Sequence, residues 1–251
     1  MYAIETTDLT KRYDSTTAVE DLDLAIPEGV VYGFLGPNGA GKTTTMRMLT
    51  TLTKPTSGSA AIAGHSVTTR DDVVGHIGYL PEEPPLYDEL TGREQLDYIA
   101  GLRDVPTERS EERIGSLLDR FDLAGDADDR ISTYSKGMKQ KTGIIQALLH
   151  DPDVVFLDEP TSGLDPRAAR TVRNTIAELV TGDTTVFLST HILPVVEELA
   201  SEVGVLYEGE LVAEGPPDAL TERMETGAES TLEDVFLEVT GGREDAAPEH
   251  E

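Results

Sequence analysis

A chain of 251 residues with 38% hydrophobic content can bury one substantial core, so one domain with a smaller attached subdomain is expected and a disordered chain is excluded. Its 20 Lys and Arg against 48 Asp and Glu leave a net charge of −28, which repels nucleic acid phosphates and sets DNA and RNA aside as partners. With no cysteine there are neither disulfides nor thiolate metal sites.

The first residues, Met1-Tyr2-Ala3-Ile4-Glu5, lack the basic and then apolar pattern of a secretion signal, and no apolar run approaches the length of a bilayer span. A cytoplasmic location is therefore expected, with membrane association only through a partner. Residues 2–35 read as β structure. Residues 18–26 alternate with period two and stop at Pro27, and residues 30–35 form a nearly continuous apolar strand, as in a sheet covered on both faces. A glycine-rich turn and a helix over about 42–52 follow. Residues 91–150 read as helical, with Ile114, Leu117, Leu118 and Phe121 on one face and a last helix over about 135–150 stopped at Asp151-Pro152. Strand 154–157, helix 167–181 and strand 184–189 then alternate. That alternation predicts a parallel α/β sheet, with the helical block inserted between two of its parts. Near the end, Leu232, Val235, Phe236 and Val239 share a helical face, and Thr231 and Asp234 have capping-box spacing. Residues 241–251 are polar and expected to be disordered.

The strongest motif is Gly36-Pro37-Asn38-Gly39-Ala40-Gly41-Lys42-Thr43-Thr44, a G-x-x-x-x-G-K-[ST] run with an apolar strand before it and a helix after. Glycines let the backbone curl so that several N–H groups point at phosphate oxygens, and the helix N-terminus adds its positive dipole end. In such a cradle Lys42 bridges β- and γ-phosphates and the Thr43 hydroxyl ligates Mg²⁺. The chain has only six lysines, of which Lys42 is one and Lys136, Lys139 and Lys141 form a second group.

The strand at 154–157 ends in Asp158-Glu159. Ligands in parallel sheets bind beyond the carboxyl ends of strands, so this pair falls beside the cradle. Asp158 is placed to hold Mg²⁺ and Glu159 to polarise an attacking water. Asp165-Pro166 has the form of a helix N-cap followed by proline in the first turn, which alone accounts for both residues. His191 follows another strand end, where it either donates to a γ-phosphate or is an ordinary surface histidine.

The order of these motifs resembles the ABC ATPase family over essentially residues 2–240. Tyr134-Ser135-Lys136-Gly137-Met138-Lys139-Gln140 is similar to that family's signature, usually Leu-Ser-Gly-Gly-Gln. Ser135 and Gly137 match it; Tyr134, Lys136 and Met138 depart from it in a way that looks like the drug-export branch. On its residues alone the segment is a serine N-cap with a basic first turn, and that turn opposes the helix dipole unless an anion binds there. The resemblance implies an α/β fold: a RecA-like P-loop NTPase core with an antiparallel β subdomain and an inserted α-helical subdomain at about 83–150. It implies that Ser135 and Gly137 contact the γ-phosphate of ATP held by a second subunit, and that Tyr13 stacks on adenine, a strand-edge residue being the alternative. It gives Asp158 a metal-binding role, Glu159 a catalytic one, Asp165 a part in communication between subunits and His191 a switch role. At Glu82, in Ile77-Gly78-Tyr79-Leu80-Pro81-Glu82-Glu83, most of the family has Gln contacting Mg²⁺ and the attacking water; Glu82 brings extra negative charge to the metal. The ending Thr231 to Leu237 is similar to that of ATPases serving type-2 exporters.

The resulting expectation is an ATP- and Mg²⁺-dependent ATPase subunit. It works as a homodimer, or as a heterodimer with a related ATPase, beneath an integral-membrane permease on the inner face of the membrane. A soluble ATPase acting in protein-complex assembly is the alternative. The even spread of acidic residues predicts adaptation to a high-salt interior, as in a halophile, where about 1 M salt shortens the Debye length to roughly 3 Å; ordinary acidic solubility is the plainer reading.

Overall fold

A computed structural model describes residues 1–180, 184–222 and 231–241. In chain order the strands are β1 (Tyr2–Tyr13), β2 (Thr16–Pro27), β3 (Val31–Leu35), β4 (Ser57–Ile62), β5 (His65–Ser66), β6 (Ile77–Leu80), β7 (Val154–Asp158), β8 (Thr185–Ser189), β9 (Glu202–Tyr207) and β10 (Glu210–Gly215). The helices are α1 (Lys42–Leu49), α2 (Arg70–Val73), α3 (Gly92–Leu102), α4 (Thr107–Arg120), α5 (Lys136–Leu148), α6 (Pro166–Val180), α7 (Leu193–Leu199), α8 (Pro217–Glu222) and α9 (Leu232–Gly241).

Two sheets form. A four-stranded antiparallel sheet has the order β2-β1-β4-β5, and a six-stranded sheet has the order β10-β9-β3-β8-β7-β6. The second is parallel except for its β10 edge. Its central strands β3, β7 and β8 are buried at every position, the result of apolar runs with helices or a sheet on both sides. Their side chains divide by parity. Phe34, Phe156 and Phe187 face the antiparallel sheet, where they meet Ile4, Leu22 and Leu24. Val155, Leu157, Val186 and Leu188 face the helical side, where Ile144, Ile145, Val172 and Ile176 cover them. The aromatic rings cluster with centroids 5.0 to 5.5 Å apart around Phe187. Burying a side chain of this size contributes about 1.5–3 kcal/mol, so this seam fixes the two sheets against each other.

The mixed α/β architecture agrees with the expected class, and β6 to β7 is the point of insertion. Helices α3, α4 and α5 lie between these two paired strands. Residues 91–150 are not continuously helical, however. Asp122, at φ 54°, ends the helical run after α4, and two single 3₁₀ turns at Ala124–Asp126 and Ile131–Thr133 lead to α5. The first predicted helix also stops early, at Leu49, because Thr51 takes φ 63°. The α3 start carries a full capping box: Thr91 Oγ1 accepts from Glu94 N at 3.1 Å while Glu94 Oε2 accepts from Thr91 N at 2.8 Å. The Thr231–Asp234 box likewise opens α9, and Leu232 and Val235 dock with Val196, Val203 and Val205. Gly241 closes that helix and is not part of a tail; residues 242–251 lie outside the described residues. Among the described residues no helix is long and apolar enough to cross a membrane.

Candidate functional site

Between β3 and α1 the chain turns too tightly for side chains. A Cβ at Gly36 would collide with the Leu206 carbonyl, and one at Gly41, at φ 111°, with the Ala18 carbonyl. Ala40 fits because it is packed inward, its carbonyl accepting from Gly209 N at 3.0 Å. Lys42 opens α1 and is 8% exposed; its ammonium donates to the carbonyls of Gly36 at 2.6 Å and Pro37 at 3.2 Å. Burial holds the Lys42 ammonium below the ordinary lysine range, opposed by the charges of Glu159, Asp158 and Glu82. One lysine is thus poised among three carboxylates, at the positive end of a helix whose first turn holds no acid.

Asp158 is the last residue of β7 and is 3% exposed. Burial pushes its carboxyl up, against the hydrogen bond it accepts from Thr43 Oγ1 at 3.1 Å. Glu159 follows with φ 49°, a left-handed turn that swings its side chain across to β8. Its Oε2 accepts from Thr190 Oγ1 at 2.9 Å, and its Oε1 from His191 N at 3.0 Å and His191 Nδ1 at 2.8 Å. The carboxylate is therefore fixed in orientation before any substrate arrives. Thr190 was not legible as a site residue; its only signal is a hydroxyl directly after an apolar strand.

These groups share one cavity of about 250 Å³. Asn38, Gly39, Gly41, Lys42, Thr43 and Thr44 line it from the loop; Glu82, Asp158, Glu159 and His191 line it from three strand ends. A larger cavity of about 730 Å³ lies between the insert and β6, and holds none of these residues. The small cavity's oxygen donors, the Thr43 hydroxyl and the Asp158 carboxylate, suit a hard cation such as Mg²⁺, which takes one or two protein ligands and completes its shell with phosphate and water. Among the described residues no three His, Cys, Asp or Glu side chains come together as a metal cage, so Glu82 lines the cavity without forming one with Asp158 and Glu159.

Of the predicted residues, Gly36, Pro37 and Ala40 belong to the loop without lining the cavity, and four more stand apart from it. Tyr13 is 45% exposed, with the Lys11 ammonium 4.8 Å over its ring. Ser135 caps α5, accepting from Met138 N at 3.2 Å, and Gly137 follows it in the first turn. Asp165 caps α6, its Oδ1 accepting from Arg167 N at 2.9 Å and Ala168 N at 3.0 Å. The Ala168 and Arg167 amides hold its carboxyl below the usual range.

A family model described as ABC transporter matches residues 19–162. The daunorubicin/doxorubicin resistance ATP-binding protein DrrA of Streptomyces peucetius is 45% identical over 215 residues, which are 85% of this chain and 65% of that protein. The chain thus spans just under two thirds of that relative's length. The daunorubicin resistance ATP-binding protein DrrA3 of Streptomyces coeruleorubidus is 40% identical, with 92% of this chain and 72% of that protein covered. The bacitracin transport ATP-binding protein BcrA of Bacillus licheniformis is 41% identical, with 92% and 75% covered. Among solved structures, an ATP-binding subunit of an ABC transporter superposes with a TM-score of 0.87 at 31% identity, covering 94% of this chain and 99% of that one. The ATP-binding cassette MJ0796, a dimer bound to ADP and Pi, shares the fold with a TM-score of 0.78 at 24% identity, covering 85% and 98%. With its phosphate cradle and acidic strand end inside the matched span, and with relatives of this identity aligned over most of its length, the chain belongs to the ABC transporter ATP-binding family.

Proposed function

We propose that this chain is the ATP-binding and ATP-hydrolysing subunit of an ABC transporter of the drug- and antibiotic-export type, powering a separate membrane permease. The observation that carries the reading is the convergence of Lys42 and Thr43 with Asp158 and Glu159 on one small cavity. In this reading the loop amides and Lys42 hold the β- and γ-phosphates, and Tyr13 stacks on the adenine. Thr43 and Asp158 would hold Mg²⁺, which would supply positive charge against the phosphate oxygens. Glu159, fixed by Thr190 and His191, orients the attacking water and takes its proton. His191 senses the γ-phosphate, and Glu82 sits at the metal side of the cavity. Catalysis is mainly positioning and charge stabilisation.

Two copies, or one copy and a related ATPase, close head to tail, each lending Ser135, Gly137 and Asp165 to the other's nucleotide. The exposure of Ser135 and Asp165 outside the cavity, with Gly137 half-buried beside Ser135, supports this, as does the dimer described for a protein of the same fold. The domain runs over residues 2–240, and its insert, about 83–150, passes the closing motion to the permease at the inner membrane face. The names of the relatives, which are daunorubicin resistance and bacitracin transport proteins, favour export. The acidic excess supports a high-salt interior; a melting temperature that does not rise between dilute buffer and molar KCl removes that element.

The test is ATP hydrolysis and copurification. Purified chain with Mg²⁺ is expected to bind ATP below millimolar concentration and release phosphate, and the native complex to contain a multi-spanning membrane protein. No nucleotide affinity at millimolar ATP would end the reading; a soluble complex would replace transport by assembly.

A further inference from the structure

Among the residues lining the cavity Lys42 is the one lysine or arginine, and the α1 N-terminus and a bound Mg²⁺ would offset only part of the negative charge gathered there. Lys42 stands against Glu82, Asp158 and Glu159, and a bound triphosphate adds further negative charge. Outside the cavity, α5 begins with a lysine at the end of the helix that repels cations, and its first turn holds no acid. Lys139, one turn further, is neutralised by Asp88 at 2.7 Å. Lys136 is exposed and forms no ion pair among the described residues, in a chain where 48 acids face 20 bases. Its ammonium instead rests on the backbone of Gly163, so close that a Cβ there would collide with it. Gly163, at φ 67°, lies in the loop that runs from Glu159 to Asp165. Gly137 adjoins the same element, since a Cβ on it would stand 3.5 Å from Ala168 of α6. Lys136 is thus presented on the same face as Ser135, Gly137 and Asp165, where the family signature has glycine.

Resting on the head-to-tail reading above, we propose that Lys136 is a nucleotide-contacting residue in trans: its ammonium reaches the γ-phosphate held by the partner copy and supplies the positive charge that the partner's own cavity lacks. Its contact with Gly163 ties the position of the ammonium to the loop leaving Glu159. One charged side chain on a phosphoryl group from across an interface can then report and stabilise closure.

The experiment uses the full chain with Glu159→Gln as parent, to retain bound ATP. Lys136→Ala, Lys136→Arg and Lys136→Gly are added to it, and MgATP-dependent dimerisation is followed by sedimentation. Nucleotide affinity of the dilute monomer is measured in parallel with a fluorescent ATP analogue. Lys136→Ala and Lys136→Gly are expected to weaken the dimer about 10- to 100-fold while monomer affinity stays unchanged, and Lys136→Arg to restore most of the loss. Equal dimerisation of parent and Lys136→Ala overturns the Lys136 assignment and leaves the head-to-tail reading standing. A parent that binds ATP and never dimerises overturns both. Loss of monomer affinity in Lys136→Ala would place the lysine's effect within its own subunit and refute the proposal.

Discussion

Lys42, Asp158 and Glu159 are 8%, 3% and 8% exposed, and each is tied to a neighbour by at least one hydrogen bond. Ser135, Lys136 and Asp165 lie open on the surface, held only by helix caps or by the backbone they rest on. The first region is organised by the chain itself. The second is shaped and presented but has nothing in the same chain to act on. Under the proposed head-to-tail reading, preorganisation inside one subunit and incompleteness at its face together make chemistry conditional on assembly.

Four changes test this contrast. Glu159→Gln strikes the finished region and is expected to lower turnover about 10²–10⁴-fold while MgATP binding and the ATP-dependent dimer persist. Phosphate release and equilibrium nucleotide binding report the two; turnover at the normal rate removes Glu159 as the base.

The packing of the end of α5 on β6 is expected to be sensitive to acid. His150, just beyond α5, donates from Nε2 to the Ile77 carbonyl of β6 at 2.8 Å, and burial, followed by the Arg103 charge, pushes its pKa down to about 4. Unfolded, it titrates near 6.5. The unfolded chain therefore binds the extra proton first, and stability is lost as pH falls from 6.5 toward 4, by about 3 kcal/mol. Urea midpoints between pH 7 and pH 4.5 should fall more steeply for the native chain than for His150→Gln. Parallel curves would exclude this source.

At the open face, a Cβ at Gly137 would meet only ordinary contacts, the nearest at 3.5 Å, so Gly137→Asp can be made there. Under the head-to-tail reading the new charge opposes a partner's phosphates, so turnover should drop about tenfold or more with monomer nucleotide affinity unchanged. A drop in monomer affinity would mean that the two regions are not separate. The smallest effect is expected from Asp165→Ala, which removes the α6 cap. A slight fall in melting temperature with turnover intact would confine Asp165 to capping; lost turnover at unchanged melting temperature would assign it to the interface.

What the sequence disclosed follows the range of the interactions involved. The cradle at 36–44 was legible because its glycines, lysine and flanking strand and helix are all local. Strands β3, β7 and β8 were legible because full burial leaves an unbroken apolar run. Strand β4 was not, as Ser57–Ile62 is mostly Ser, Gly and Ala and takes its strand form from pairing with β1. The left-handed turn at Glu159 left no trace either, because it is imposed by the Thr190 and His191 donors 31 and 32 residues away. Nor did the pattern show that Lys136 would lie on Gly163, a contact made only when α5 meets the loop before α6.

One topological fact reaches further. Strands β6 and β7 are neighbours, with Ile77 beside Val154, yet the whole insert hangs between them. Because the two strands run parallel, the insert leaves the sheet at Leu80 and re-enters at Val154, at opposite ends of adjacent strands, and α5 makes the return crossing with Ile144 and Ile145 laid over Val155 and Leu157. The return helix is thus part of the sheet's own cover, so it is α3 and α4, packed one layer further out on α5, whose length can change without uncovering the strands that bear the chemistry.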